Sequence, residues 1–185
     1  MSRHNRIIIT GGPGSGKSTL LEALQKEGFS CRKEVAREVI REYRKDDISP
    51  WNRREEFVRL VYERIFHDLH QPAAELTFYD RGLPDCIAYL REAGLPVPAE
   101  YLSFVPQLYY FGEAFILPPW EAVYRQDRER RQEFYQAVSL YNSIRKTYLD
   151  YGFRLVEIPK APLQERVNFI KHYLIKAGKL EWERT

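Results

Sequence analysis

The chain has 185 residues, 44% of them hydrophobic, with 29 basic side chains against 26 acidic ones and a net charge of +3. That length fits one domain, residues 1–185, with ample material for a core, and so even a charge balance gives no argument for nucleic acid as a partner. No apolar run approaches the roughly 18–20 residues of a membrane span, Met1–Arg6 leads on without a signal-type stretch, and Cys31 and Cys86 are too few for a zinc site or a disulfide framework, so a cytoplasmic protein with reduced, semi-buried thiols is expected.

Arg6–Thr10 reads as a short buried strand. It runs into Gly11-Gly12-Pro13-Gly14-Ser15-Gly16-Lys17-Ser18-Thr19, which fits Gly, four residues, Gly, Lys, then Ser or Thr. The helix that Ser18 opens carries Leu20, Leu21 and Leu24 on one face, completing the strand–loop–helix setting that this pattern requires. Glycines let consecutive N–H groups turn inward on an anion, and the helix start adds its positive end. Lys17, as a loop lysine exposed to the ligand, then reaches the β and γ phosphates of a nucleoside triphosphate, and the Ser18 hydroxyl takes one position on magnesium. The expected ligands are ATP, with GTP not distinguished from it, and Mg2+.

Beyond Gly28, Phe29–Lys33 predicts a second strand and Val35–Arg44 a helix, then Lys45–Ile48 a polar loop. Ser49-Pro50 reads as the next helix start, with Phe57, Val61, Ile65 and Leu69 recurring at i+4 until Pro72. Leu76–Asp80 predicts a strand ending in an acid, Leu83–Ala93 a helix, and Ala114–Leu117 a buried strand broken by Pro118-Pro119. A long helix is expected from about Arg128 to Asp150, then a strand over Phe153–Ile158 and an amphipathic helix over Pro162–Ala177. Five strands alternating with helices specify an α/β fold, a parallel sheet covered on both faces, because parallel strands need helical crossovers. His67 and His70 share a helix face, a possible metal pair, but with no Cys or third His near in sequence they read as structural.

Ligands of open α/β sheets bind at the carboxyl ends of strands. Besides the phosphate loop, three groups fall there: Glu34 after the second strand, Asp80-Arg81 after the third, and Arg125, Asp127, Arg128, Arg130 and Arg131 after the fourth. In this order they resemble the P-loop nucleoside and nucleoside-monophosphate kinases. More narrowly, Glu34-Val35-Ala36-Arg37-Glu38, Pro119-Trp120, Asp127-Arg128 and Arg131 with Phe134 are similar to the AAA-type domain of ribosylnicotinamide kinases of the NadR kind and of insect channel-trafficking GTP-binding proteins. Asp80-Arg81-Gly82 departs from the NadR pattern and leaves the acceptor open.

The resemblance implies an ATP-dependent phosphotransferase acting on a small, nucleoside-like acceptor, with Mg2+. Asp80 would hold magnesium or else cap a helix. Arg81 would approach the transferred phosphoryl or acceptor, or else pair with Asp80 or Asp85. Glu34 would serve as general base at the acceptor edge, or else as a first-turn acid favouring the helix dipole. Arg125, Arg128 and Arg131 recur at i+3 and would close over the phosphates as a lid spanning about residues 118–133, or else form a solvated face. A signalling GTPase is excluded, since none of Asn5, Asn52, Asn142 or Asn168 is followed by Lys. The rival reading is a nucleotide-binding switch or uncoupled ATPase or GTPase without an acceptor.

Overall fold

Side-chain alternation along the strands decides the architecture. In the computed structural model, which describes residues 5–46, 48–49, 51–72, 75–124 and 134–180, the strands are β1 (Arg6–Gly11), β2 (Ser30–Arg32), β3 (Thr77–Asp80), β4 (Glu113–Leu117) and β5 (Arg154–Glu157). All pair in parallel, in the order β2-β3-β1-β4-β5. Among the described residues the α-helices are α1 (Lys17–Lys26), α2 (Val35–Glu42), α3 (Arg54–Leu69), α4 (Leu83–Glu92), α5 (Ala99–Leu102), α6 (Phe134–Asp150) and α7 (Leu163–Lys176).

Ile7 and Ile9 of β1 join Phe78, Phe115 and Leu117 in one core, closed by Leu20 and Leu24 of α1 and Val167 and Ile170 of α7. Ile8 points the other way, with Tyr79, Ala114 and Ile116, into a second core closed by α3, α4 and α6. Each large side chain withdrawn from water in these layers is worth roughly 1.5–3 kcal/mol. β1 is thus buried on both faces. This fixes its register, with Ile9 beside Asp80 on β3 and Gly11 beside Leu117 on β4.

One expected helix start moves. Ser49 does not open α3, which begins at Arg54. Its hydroxyl instead accepts the backbone N–H groups of Trp51 (3.3 Å) and Asn52 (3.1 Å), and its own N–H donates to the Asn52 carbonyl at 2.9 Å. A side chain spent on closing this local turn cannot cap a helix. The chain then reverses through Arg53, at φ 51°, before the helix begins. Pro50 and residues 128–133 of the expected long helix lie outside the described residues. Cys86 is fully buried and Cys31 half-buried, both as free thiols.

A single carboxylate ties the layers at the sheet's carboxyl edge. Asp85, 2% exposed on the first turn of α4, accepts from Thr10 Oγ1 (2.6 Å) and Arg81 Nη1 (2.9 Å) on Oδ1, and from the Gly82 N–H (2.9 Å) and Tyr148 OH (2.5 Å) on Oδ2. Its four lone-pair positions are all used, and they join β1, the end of β3, α4 and α6. Asp85→Ala is expected to cost about 3–5 kcal/mol, because it takes one of two carboxylates from a buried guanidinium and leaves two buried hydroxyls without their acceptor. Tyr148→Phe, which deletes one hydroxyl and keeps the ring, should cost only about 1 kcal/mol. Urea unfolding of both variants checks this, and an Asp85→Ala loss no larger than that of Tyr148→Phe would remove the carboxylate from its linking role.

Candidate active site

The loop between β1 and α1 is shaped by space as much as by backbone freedom. Gly16 stands at φ 83° and caps α1, and Gly14 stands at φ 71° with the Tyr124 ring so close that a Cβ there would meet Tyr124 Cδ2 at 2.6 Å. Neither conformation nor room admits a side chain. Two buried polar atoms at this loop, Ser15 Oγ and Arg166 Nε, lack a hydrogen-bond partner among the described residues. Polar atoms left so in a well-packed interior fit a polar ligand rather than a bare turn. The cradle suits the phosphates of a nucleoside triphosphate, as its glycine pattern implies.

Lys17 is not the exposed lysine that the sequence suggests. It is 6% exposed and pairs at 2.7 Å with Asp80 Oδ1, which neighbouring strands bring opposite the loop. Burial is the largest influence on Asp80 and pushes its carboxyl up; Glu34 adds to this, and Lys17 opposes it. Among the described residues no three His, Cys, Asp or Glu side chains converge as metal ligands. The residues suited to Mg2+ are Asp80 and Ser18, on the wall of the same cleft, with the rest of the coordination left to nucleotide and water.

Glu34 caps no helix N–H. Although it precedes α2, its Oε2 takes Arg37 Nε at 2.9 Å and its Oε1 takes Arg81 Nε at 3.1 Å. Burial alone would push this carboxyl up, but Lys17, Arg81 and Arg37 hold it well below the usual carboxylate range. Arg81 lies across the junction at φ 72°, buried between Glu34 and Asp85, with its guanidinium carbon 5.5 Å from the Tyr89 ring centre. A non-glycine residue at positive φ is strained and persists only where its surroundings dictate it. Here the two carboxylates do so.

The same cleft is lined beyond this junction by Val35, Ile40, Phe57, Val61, Cys86 and Tyr89, from α2, α3 and α4, with the exposed Trp51 also on it, an apolar chamber. One cleft therefore brings Gly12–Thr19, Glu34, Asp80 and Arg81 together. Arg125 and Arg128, and with them most of the expected lid, lie outside the described residues. Asp85, which holds Arg81, is one of the two partners the sequence offered that arginine; two residues packed against the phosphate loop had no sequence signal strong enough to single them out, Tyr124, which covers Gly14, and Arg166, beside Gly16.

The family model described as "AAA domain" matches residues 6–166. Among solved structures, a deoxyadenosine kinase from M. mycoides with products dCMP and dCDP bound superposes at TM-score 0.69 and 18% identity, covering 93% of this chain and 99% of that one. NadR protein in complex with NR superposes at TM-score 0.69 and 16% identity over 98% of this chain, which spans about half (53%) of that protein. Thymidylate kinase from Candida albicans superposes at TM-score 0.61 and 16% identity, covering 97% of this chain and 95% of that one. At these identities the likeness is one of fold. No curated protein matches by sequence.

Because Lys17 is buried against Asp80, Lys17→Ala is expected to do two things. It removes nucleotide turnover, and it costs about 3–5 kcal/mol by leaving a buried carboxylate without its counter-charge. The pH dependence has a defined sign. Asp80 is already raised above its unfolded value with Lys17 in place, and with Lys17 gone burial and Glu34 are opposed only by the pull of Arg81, so its folded pKa rises further. The folded state then binds the extra proton, and the variant loses stability as pH rises above about 4. Melting across pH 4–8 checks this. Adding Asp80→Asn should recover much of the loss, and a pH-independent Lys17→Ala penalty would refute the coupling.

Proposed function

The chain belongs to the AAA domain family and carries the P-loop kinase fold, and from that premise we propose that it is a Mg2+-dependent phosphotransferase moving the γ-phosphoryl group of ATP to a hydroxyl of an uncharged, nucleoside-like acceptor. The observation that carries this reading is the continuity of the cleft. The phosphate loop opens directly into an apolar chamber, and Glu34 and Arg81 stand at the junction. A nucleotide switch or a hydrolase has no use for such a chamber.

The chemistry of the walls supports the acceptor class. Both arginines of the chamber described here are already paired, Arg37 with Glu34 and Arg81 with Glu34 and Asp85. An acceptor phosphate or carboxylate would have to enter among aliphatic and aromatic side chains and compete for those pairs. An aromatic, uncharged body fits them. In phosphoryl transfer through a loose transition state the protein mainly positions the groups and neutralises charge. Lys17 would leave Asp80 for the β and γ phosphates, and Mg2+ held by Ser18, Asp80 and the nucleotide would offset their charge. Glu34, held ionised by its arginines, is a weak base. It would accept a hydrogen bond from the acceptor hydroxyl, aim its oxygen in line with the γ phosphorus and take the proton as the bond forms. Arg81 would lie beside the transferred group.

Acceptor-dependent ADP release, screened over nucleosides, nucleoside monophosphates and sugars, tests the proposal. Nucleosides are expected to turn over, with the matching monophosphates at least about a hundredfold poorer. ATP hydrolysis that no acceptor stimulates would hand the site to the uncoupled or switch reading. The two carboxylates should then separate. Glu34→Gln is expected to cut transfer to the acceptor by about 10²–10⁴-fold while sparing background hydrolysis. Asp80→Asn should lower both and raise the magnesium requirement. If Glu34→Gln abolishes hydrolysis as well, the acceptor-side role of Glu34 fails.

A further inference from the structure

Among the described residues Arg166 is a buried cation without a counter-ion. It sits on the first turns of α7, is 8% exposed, and its side chain forms no hydrogen bond or ion pair among the described residues; Nε is inaccessible and unpartnered. Burial alone acts on its charge and lowers its pKa, with no carboxylate to oppose it. Arg81, a buried guanidinium that does line the cleft, has two carboxylates.

An unpaired charge in such a place is costly, and a packing role is better filled by an apolar side chain. The position of Arg166 says what would compensate it. A Cβ on Gly16 would stand 3.1 Å from Arg166 Nη1, so the guanidinium lies against the residue that ends the phosphate loop and begins α1. On its other side the Trp120 ring lies 5.9 Å from the guanidinium carbon, a face that suits a cation and offers no anion.

We infer that Arg166 is the fixed counter-charge of a bound nucleotide's polyphosphate, acting on it across Gly16 as a positioning residue of the phosphate loop. The inference rests on the nucleotide-binding half of the proposed function and not on transfer to an acceptor. In the ligand-free protein the charge is uncompensated and destabilising. A di- or triphosphate brings the negative charge it lacks. A uniform dependence on the nucleotide base is not expected, since Arg166 addresses charge.

The test compares Arg166→Met, which keeps bulk and loses charge, with Arg166→Lys, which keeps charge. Calorimetry measures the affinities of ATP, ADP and adenosine, and thermal melting is followed without ligand. For Arg166→Met the ligand-free midpoint should hold or rise, while ATP and ADP weaken by about tenfold or more, the scale of one charge acting across a partly buried gap. Adenosine should be unaffected, and Arg166→Lys should retain most of the wild-type nucleotide affinity. A falling ligand-free midpoint, or failure to fold, makes Arg166 a packing residue and overturns the inference. Equal losses for adenosine and ADP overturn it in favour of a base contact. Unchanged ATP and ADP affinities overturn it outright. A wild-type protein that binds ATP but phosphorylates no acceptor overturns only the earlier reading.

Discussion

The structure depends on keeping charge buried at the carboxyl ends of β1 and β3. Lys17 and Asp80 pair there at 2.7 Å, and beside them Arg37, Glu34, Arg81 and Asp85 alternate in sign along one chain of contacts. Apart from the partly exposed Arg37, these groups are expensive to bury alone and tolerable only because a neighbour opposes each of them. The arrangement constrains the local backbone too, for Arg81 can occupy φ 72° only while carboxylates hold it at both ends. On the proposed function, ligand entry becomes an exchange of partners. Lys17 would trade a carboxylate for a phosphate, and Asp80 would trade an ammonium for a metal ion, so neither is left unopposed.

The sheet separates two tasks. Its α1 and α7 face packs one core and carries the loop for the nucleotide; its α3, α4 and α6 face packs the other and carries the apolar chamber. Asp85 bridges them, because Thr10 belongs to the strand that feeds the loop while Tyr148 belongs to a helix of the chamber side. A change in either layer is therefore felt at Arg81, which sits on the same carboxylate. This is a positional coupling through one short set of hydrogen bonds.

The parts of this architecture legible in the sequence are those encoded locally. β1, the phosphate loop and α1 are consecutive, and their glycines and leucines recur at short spacings, so loop and fold class both follow from the residues alone. Asp80 was expected at a strand's carboxyl end, and the order of the sheet adds that this strand lies beside the loop strand. The turn at Ser49 was not legible, since a serine hydroxyl can serve a turn or a helix equally well. Nor were the long-range partners: Asp85 meets Thr10 across 75 residues of chain and Tyr148 across 63, and an acid three residues into a helix looks like an ordinary first-turn acid.

Arg166 shows the same limit from the opposite direction. In an amphipathic helix an arginine beside Glu165 reads as part of the solvated face, and periodicity gives no reason to place it inside. Only the folded chain reveals that it is buried against Gly16 and that no carboxylate among the described residues accompanies it. The missing partner carries more information than the burial. Arg81, on the cleft wall, is paired twice, whereas Arg166, packed against Gly16 at the phosphate loop, has no carboxylate among the described residues; on the proposed function the two places make opposite electrostatic demands. The acceptor end is neutralised in advance and suits an uncharged guest. The phosphate end keeps a positive charge that only an anion can answer.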